Sequence, residues 1–172
     1  MKAQTVTIVG MGRIGLAVGR ALKASSADLT IIGHDRFRDL AQEAKEEHGA
    51  IDRAEWNLVS AAAAADILVL AIPMSELETS LVVIGDELQP HTLVLDLSAV
   101  KSMGLRWADR HLKKGHYVGV VPVLSTAGLH DGRDDAVSGT ADLFNNSVFC
   151  LMPSPHADPR AVETAVNFGR LL

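Results

Sequence analysis

The chain has 172 residues, of which 48% are hydrophobic and 22% charged, with a formal net charge of −5. That length suffices for the core of one domain, and that composition excludes a disordered polymer. The acidic balance, with no cluster of lysine and arginine, excludes a nucleic-acid surface.

Val6-Thr7-Ile8-Val9 is an apolar, β-branched run that predicts a first strand, entered from Met1-Lys2 with no signal peptide. It ends at Gly10-Met11-Gly12-Arg13-Ile14-Gly15, after which Leu16 to Lys23 reads as one helix. Strand, glycine turn and helix together are the context of a dinucleotide fingerprint. Gly10 permits the tight turn, Gly12 removes a side chain where a pyrophosphate approaches, and Gly15 lets the helix pack closely on the strand. The diphosphate is expected on the free amides at the start of that helix, beside Arg13 and Ile14. Arg13 reads equally as a diphosphate contact or a solvated side chain.

Leu29-Thr30-Ile31-Ile32-Gly33 predicts a second strand leading through His34 to Asp35, where a ribose-binding acid belongs. A carboxylate there accepts hydrogen bonds from both ribose hydroxyls and repels a 2′-phosphate, which selects NAD over NADP. Arg36 acts in the other direction if its guanidinium reaches a phosphate; stacking on adenine and simple solvation are the other readings.

Arg36 to His48 predicts a solvent-facing helix closed by Gly49, and Asn57 to Ala65 a short one. Asp66 to Ile72 is a continuous apolar run, as expected of a strand covered on both faces. The surrounding stretch from Ala61 to Met74 is too short and too broken to span a bilayer. Ala71-Ile72-Pro73-Met74-Ser75 is expected to border the dinucleotide, with Ala71 and Pro73 as contacts and Ser75 capping a helix that runs to about Leu88. Thr92 to Asp96 predicts another strand. It continues into Asp96-Leu97-Ser98-Ala99-Val100-Lys101, which brings a carboxylate, a hydroxyl and an ammonium to one strand end. Ser98 is placed there as a cofactor contact. In the competing reading Ser98 merely caps the helix from Lys101 to Leu112, and Lys101 is solvated.

Tyr117 to Val121 and Val148 to Met152 predict the last strands. The single cysteine, Cys150, excludes an intramolecular disulfide, fits a reducing, cytoplasmic compartment and reads as a buried structural thiol. The polar segment Ser125 to Gly139 reads as a mobile lid or a surface loop. Asp158 and Pro159 open a final helix that is expected to be still running at Leu171-Leu172, as in a piece of a longer protein.

Strands alternating with helices predict an α/β fold: a Rossmann-type, doubly wound, mostly parallel sheet with helices on both faces, one domain over residues 1–172. Its ligand is expected outside the carboxyl ends of the strands. None of the seven histidines has metal-ligand spacing. His116, His130 and His156 are candidate bases, and no catalytic residue is assigned.

These residues resemble the prephenate/arogenate dehydrogenase family of tyrosine biosynthesis, from Val6 to about Pro153. The resemblance rests on the glycine loop, Gly33-His34-Asp35-Arg36, Asp66 to Pro73, Leu95 to Lys101, Val118-Gly119-Val120-Val121-Pro122, and Ala141-Asp142-Leu143-Phe144. It implies NAD as cofactor, a small-molecule substrate and an oxidative decarboxylation in which a histidine handles the substrate hydroxyl. It also implies a homodimer built through a helical C-terminal domain that this chain lacks. Two positions depart from the pattern. Val121 stands where the family has its catalytic histidine, and Ala99 where it has a serine, although Ser98 offers a hydroxyl one position earlier. A different substrate, as in other NAD(P)-dependent dehydrogenases or imine reductases, or a non-catalytic dinucleotide-binding module, stays open beside the leading reading.

Overall fold

A computed structural model describes residues 4–124 and 140–172. The predicted segment Ser125 to Gly139 and His130 lie outside them. Seven strands form one sheet in the order β3-β2-β1-β4-β5-β6-β7. They are β1 (Gln4–Val9), β2 (Leu29–His34), β3 (Arg53–Ala54), β4 (Ile67–Leu70), β5 (Leu93–Asp96), β6 (His116–Val123) and β7 (Val148–Pro153). The first six are parallel and β7 runs antiparallel to β6. This is the doubly wound architecture that the alternating pattern predicts.

Side-chain alternation divides the interior into two layers. Val6, Ile8, Ile67, Val69, Leu93, Leu95, Val118 and Val120 face one way. They meet α1 (Arg13–Ala24), α2 (Arg38–Glu46) and α6 (Pro159–Gly169) through residues such as Leu16, Leu22, Ala41 and Phe168. Val9, Leu68, Leu70, Val94 and Tyr117 face the other way. They pack on α3 (Leu58–Ala63), α4 (Met74–Ile84) and α5 (Lys101–His111) through Ala62, Leu77, Leu81 and Ala108. Both faces of β4 are therefore dry, which is why its sequence is apolar without interruption.

Local signals hold at several ends. Asn57 caps α3 by accepting from the Ser60 amide, and Asp158 caps α6 from the residue before Pro159. Ser75 does not cap α4. Extended Pro73 precedes the helix, which begins at Met74 and leaves Ser75 already inside its first turn. The final helix also closes earlier than predicted, at Gly169, with the Arg170 amide turned back onto carbonyls of the last turn.

Cys150 is exposed, contrary to the sequence reading. β7 is the last strand of the order among the described residues, and by strand alternation its Phe149 and Leu151 reach the core while Val148 and Cys150 point to the other, exposed face. The two-residue β3 carries no sequence signal of its own and exists by pairing with Ile32 and Gly33 of β2.

Candidate functional site

The sheet order reverses between β1 and β4, so the connections leaving these strands diverge to opposite faces and open a crevice at their carboxyl ends. A cleft of about 580 Å³ lies there. It is lined by the glycine loop, the end of β2, the loop after β4, the start of α4 and the segment Leu97-Ser98-Ala99.

Each fingerprint glycine has a distinct physical reason. Gly10 has φ +94°, a conformation that side-chain-bearing residues rarely adopt, and its position abuts the Ala71 carbonyl. Gly15 sits under the loop, where a Cβ would lie 1.9 Å from the Gly10 carbonyl oxygen. Gly12 is the opposite case. A Cβ there would meet no atom within 4 Å, because it would project into open space beside the cleft. No side chain caps α1, so its first-turn amides are left without side-chain partners.

Asp35 anchors this loop as well as facing the cleft. One carboxylate oxygen accepts from the Met11 amide at 2.8 Å and the other from the Phe37 amide at 2.9 Å. Each oxygen keeps a further lone pair for a ligand. Behind it, His34 is buried, and its Nδ1 donates to the Glu55 carbonyl at 2.8 Å. A carbonyl only accepts, so Nδ1 carries the hydrogen in this bond.

Of the ten residues predicted as cofactor contacts, Gly10, Gly12, Arg13, Ile14, Asp35, Arg36, Ala71, Pro73 and Ser98 all line the cleft. Gly15 does not; it supports the loop from below. Met74, in the loop expected to border the dinucleotide, lines the cleft too, whereas sequence reasoning missed Phe37, Leu40, Leu58, Glu76 and Ser80. Glu76 carried no motif, and only its position in the first turn of α4 brings it to the site.

The cluster after β5 differs from both sequence readings. Asp96, Ser98, Lys101 and Tyr117 are all buried. The Ser98 amide donates to one Asp96 carboxylate oxygen at 2.7 Å. The other oxygen accepts from Ser98 Oγ (2.9 Å), Tyr117 Oη (2.6 Å) and Lys101 Nζ (3.1 Å). Lys101 also donates to the Asp96 carbonyl at 2.6 Å. Ser98 is therefore not a helix cap, and Lys101 is not solvated. The ammonium is turned into the protein, and of these four residues Ser98 is the one that lines the cleft. Its hydroxyl hydrogen is committed to Asp96, which leaves the oxygen only an acceptor's role toward any other group.

Burial pushes the Lys101 ammonium below the usual lysine value, an effect opposed by the Asp96 charge and hydrogen bond. Burial, reinforced by the Asp96 carboxylate, pushes the Tyr117 hydroxyl far above the ordinary tyrosine range. An unfolded tyrosine ionises near pH ~10 while the native one stays neutral, so the stability contributed by Tyr117 is present below that pH and lost above it. Lys101 has the opposite sign: its burial cost is relieved as pH rises from its lowered native value toward ~10.4. Tyr117 is the only tyrosine in the chain, so the phenolate increment at 295 nm, above the absorbance of the two tryptophans, reports its ionisation. We expect no phenolate signal until alkali unfolds the protein, with the absorbance rise and the loss of far-ultraviolet dichroism coinciding. A phenolate titrating near pH ~10 in folded protein would contradict the buried cluster.

The candidate bases do not gather at the cleft. His116 begins β6, at the end of the sheet opposite the site, and His156 is an exposed partner of Asp109 at 3.5 Å. Val121 lies on β6 and does not line the cleft.

A family model described as the prephenate dehydrogenase nucleotide-binding domain matches residues 18–171. The chain belongs to that family. The match begins after the glycine loop, whose assignment stands on its own geometry. Cyclohexadienyl dehydrogenase of Zymomonas mobilis is 25% identical over 163 residues, covering 95% of this chain and 54% of the relative. Prephenate dehydrogenase of Lactococcus lactis is 28% identical over 149 residues, covering 85% of this chain and 40% of its own length. The chain thus spans about half the length of the curated relatives it matches. Among solved structures, prephenate dehydrogenase from Aquifex aeolicus in complex with hydroxyphenyl propionate and NAD+ superposes with a TM-score of 0.81 at 19% identity. It matches 99% of this chain and 58% of its own, a likeness of fold. No helix among the described residues is long and apolar enough to cross a membrane.

Proposed function

We propose that this prephenate dehydrogenase-type domain binds NAD in the cleft at the strand reversal and serves an oxidoreductase that oxidises a small cyclohexadienol acid. The observation that carries the reading is Gly12: an uncrowded position at the foot of an uncapped helix, opening on a cleft that ends at Asp35. The residues present fit the group. Gly12 admits close main-chain approach of a diphosphate, whose charge the amides of Arg13, Ile14 and Gly15 would meet at the positive end of α1. Asp35 accepts from the adenosine ribose hydroxyls and disfavours a 2′-phosphate. Ala71, Pro73 and Ser98 border the other half of the cleft.

When bound, NAD supplies a two-electron acceptor for a hydride. The protein's own part is to hold that acceptor and exclude water around it. The titratable groups lining the cleft are Arg13, His34, Asp35, Arg36 and Glu76, from the glycine loop, the end of β2 and the start of α4. None belongs to the segment after β5. With valine at position 121, no proton acceptor for the substrate is assigned among the described residues. The same valine favours, as a second reading, a relative acting on another hydroxy acid or imine. Prephenate and arogenate are the first substrates to test, and a homodimer working in the cytoplasm is the expected setting.

Calorimetric titration of the chain with NAD+ tests the binding half directly. Binding is expected in the micromolar to millimolar range usual for such ligands, weakened about tenfold by Asp35→Ala, the scale of one charge-assisted contact. No heat of binding at millimolar NAD+ would overturn the proposal. NADH formation with prephenate, arogenate and small hydroxy acids, followed with the full-length protein, then distinguishes the substrates.

A further inference from the structure

Arg36 directly follows the ribose-facing carboxylate and lines the same cleft, a place from which a guanidinium could receive a 2′-phosphate. It is already engaged. Its Nη1 lies 2.7 Å from Oε1 of Glu76, in the first turn of α4. The two residues come from opposite sides of the crevice, one from the end of β2 and the other from the loop-to-helix junction after β4. The guanidinium also lies 4.6 Å from the centroid of the Phe37 ring.

Resting on the dinucleotide reading above, we infer that Glu76 is a determinant of cofactor selectivity, excluding a 2′-phosphate by occupying and neutralising Arg36. With Glu76 in place, a phosphate ester at the adenosine ribose meets two carboxylates, Asp35 and Glu76, and one guanidinium already paired. Without it, the same phosphate meets one carboxylate and a free guanidinium.

The bridge is poorly explained as a stabilising device. The Arg36 side chain is 62% exposed and that of Glu76 30%, and ion pairs in such positions contribute little to folding. Its placement over the cleft is what distinguishes it from Lys23–Asp52 and Arg53–Glu55, which do not line the cleft.

The test is a calorimetric comparison of NAD+ and NADP+ binding to the unaltered chain, Glu76→Gln and Glu76→Gln/Arg36→Gln, with thermal melts of each. In Glu76→Gln, affinity for NADP+ should rise about tenfold, as expected of one released charge-assisted contact, while NAD+ affinity changes less than about threefold. The NADP+ gain should disappear in the double variant, which separates a freed Arg36 from a mere loss of negative charge. An unchanged NADP+/NAD+ ratio in Glu76→Gln, or a gain that persists without Arg36, would overturn the inference and leave NAD binding intact. If the unaltered chain binds neither dinucleotide, the functional reading falls and this inference with it.

Discussion

Gly12→Val should abolish dinucleotide binding while leaving the domain folded. The backbone at Gly12 has φ −74° and ψ −169°, open to any residue, and its Cβ position meets no atom within 4 Å. The added isopropyl group therefore enters the open space where the proposed diphosphate would lie. We expect at least a ~100-fold loss of NAD+ affinity, equivalent to about 2.7 kcal/mol, with a melting temperature within a few degrees of the unaltered chain. Gly15→Ala should behave differently. Its Cβ would lie 1.9 Å from a main-chain oxygen, which cannot move without displacing the β1–α1 turn. Stability should fall by about 1–3 kcal/mol, as for other overpacked sites, and binding should fall with it. Melting curves and calorimetric titrations of the two variants read both quantities. Unimpaired binding by Gly12→Val would place the ligand elsewhere.

Asp96→Ala should be the most damaging single truncation near the cleft. The Asp96 carboxylate is the shared acceptor for Ser98, Tyr117 and Lys101, all buried. Its removal strands an ammonium and a phenol away from water, and breaking a buried pair in this way costs about 3–5 kcal/mol. Lys101→Met should cost less than half as much, because Asp96 retains its bonds from Ser98 and Tyr117. Urea denaturation of both variants measures the difference. Equal losses, or a loss below about 1 kcal/mol for Asp96→Ala, would mean that the carboxylate is not the centre of the network.

Such contrasts mark where legibility stopped. The glycine loop was readable because each glycine answers a local demand within six residues, and Asp35 because the strand–helix–strand unit sets its distance from them. The layers were readable because burial on both faces leaves an uninterrupted apolar strand such as Ile67–Leu70. Lys101 was not. At the first turn of a helix a lysine normally reaches water, and only the neighbouring β6 with Gly119, where a Cβ would lie 2.8 Å from Lys101 Cδ, creates the space that takes it inward. An apolar strand suggests burial for Cys150, but the burial of a strand face depends on what covers it, and in β7 the core takes Phe149 and Leu151 while the Cys150 face stays exposed.

Local sequence thus specified the order of strands and helices, the missing side chain at Gly12 and the acid at the end of β2, since each depends on backbone geometry over a few residues. Pairings between distant segments could not be read that way. Glu76 meets Arg36 forty positions away, and Tyr117 meets Asp96 across β5 and β6, because sheet order brings together strand ends that chain order separates. Chain folding, acting through close packing and the need to partner every buried polar group, chose those neighbours.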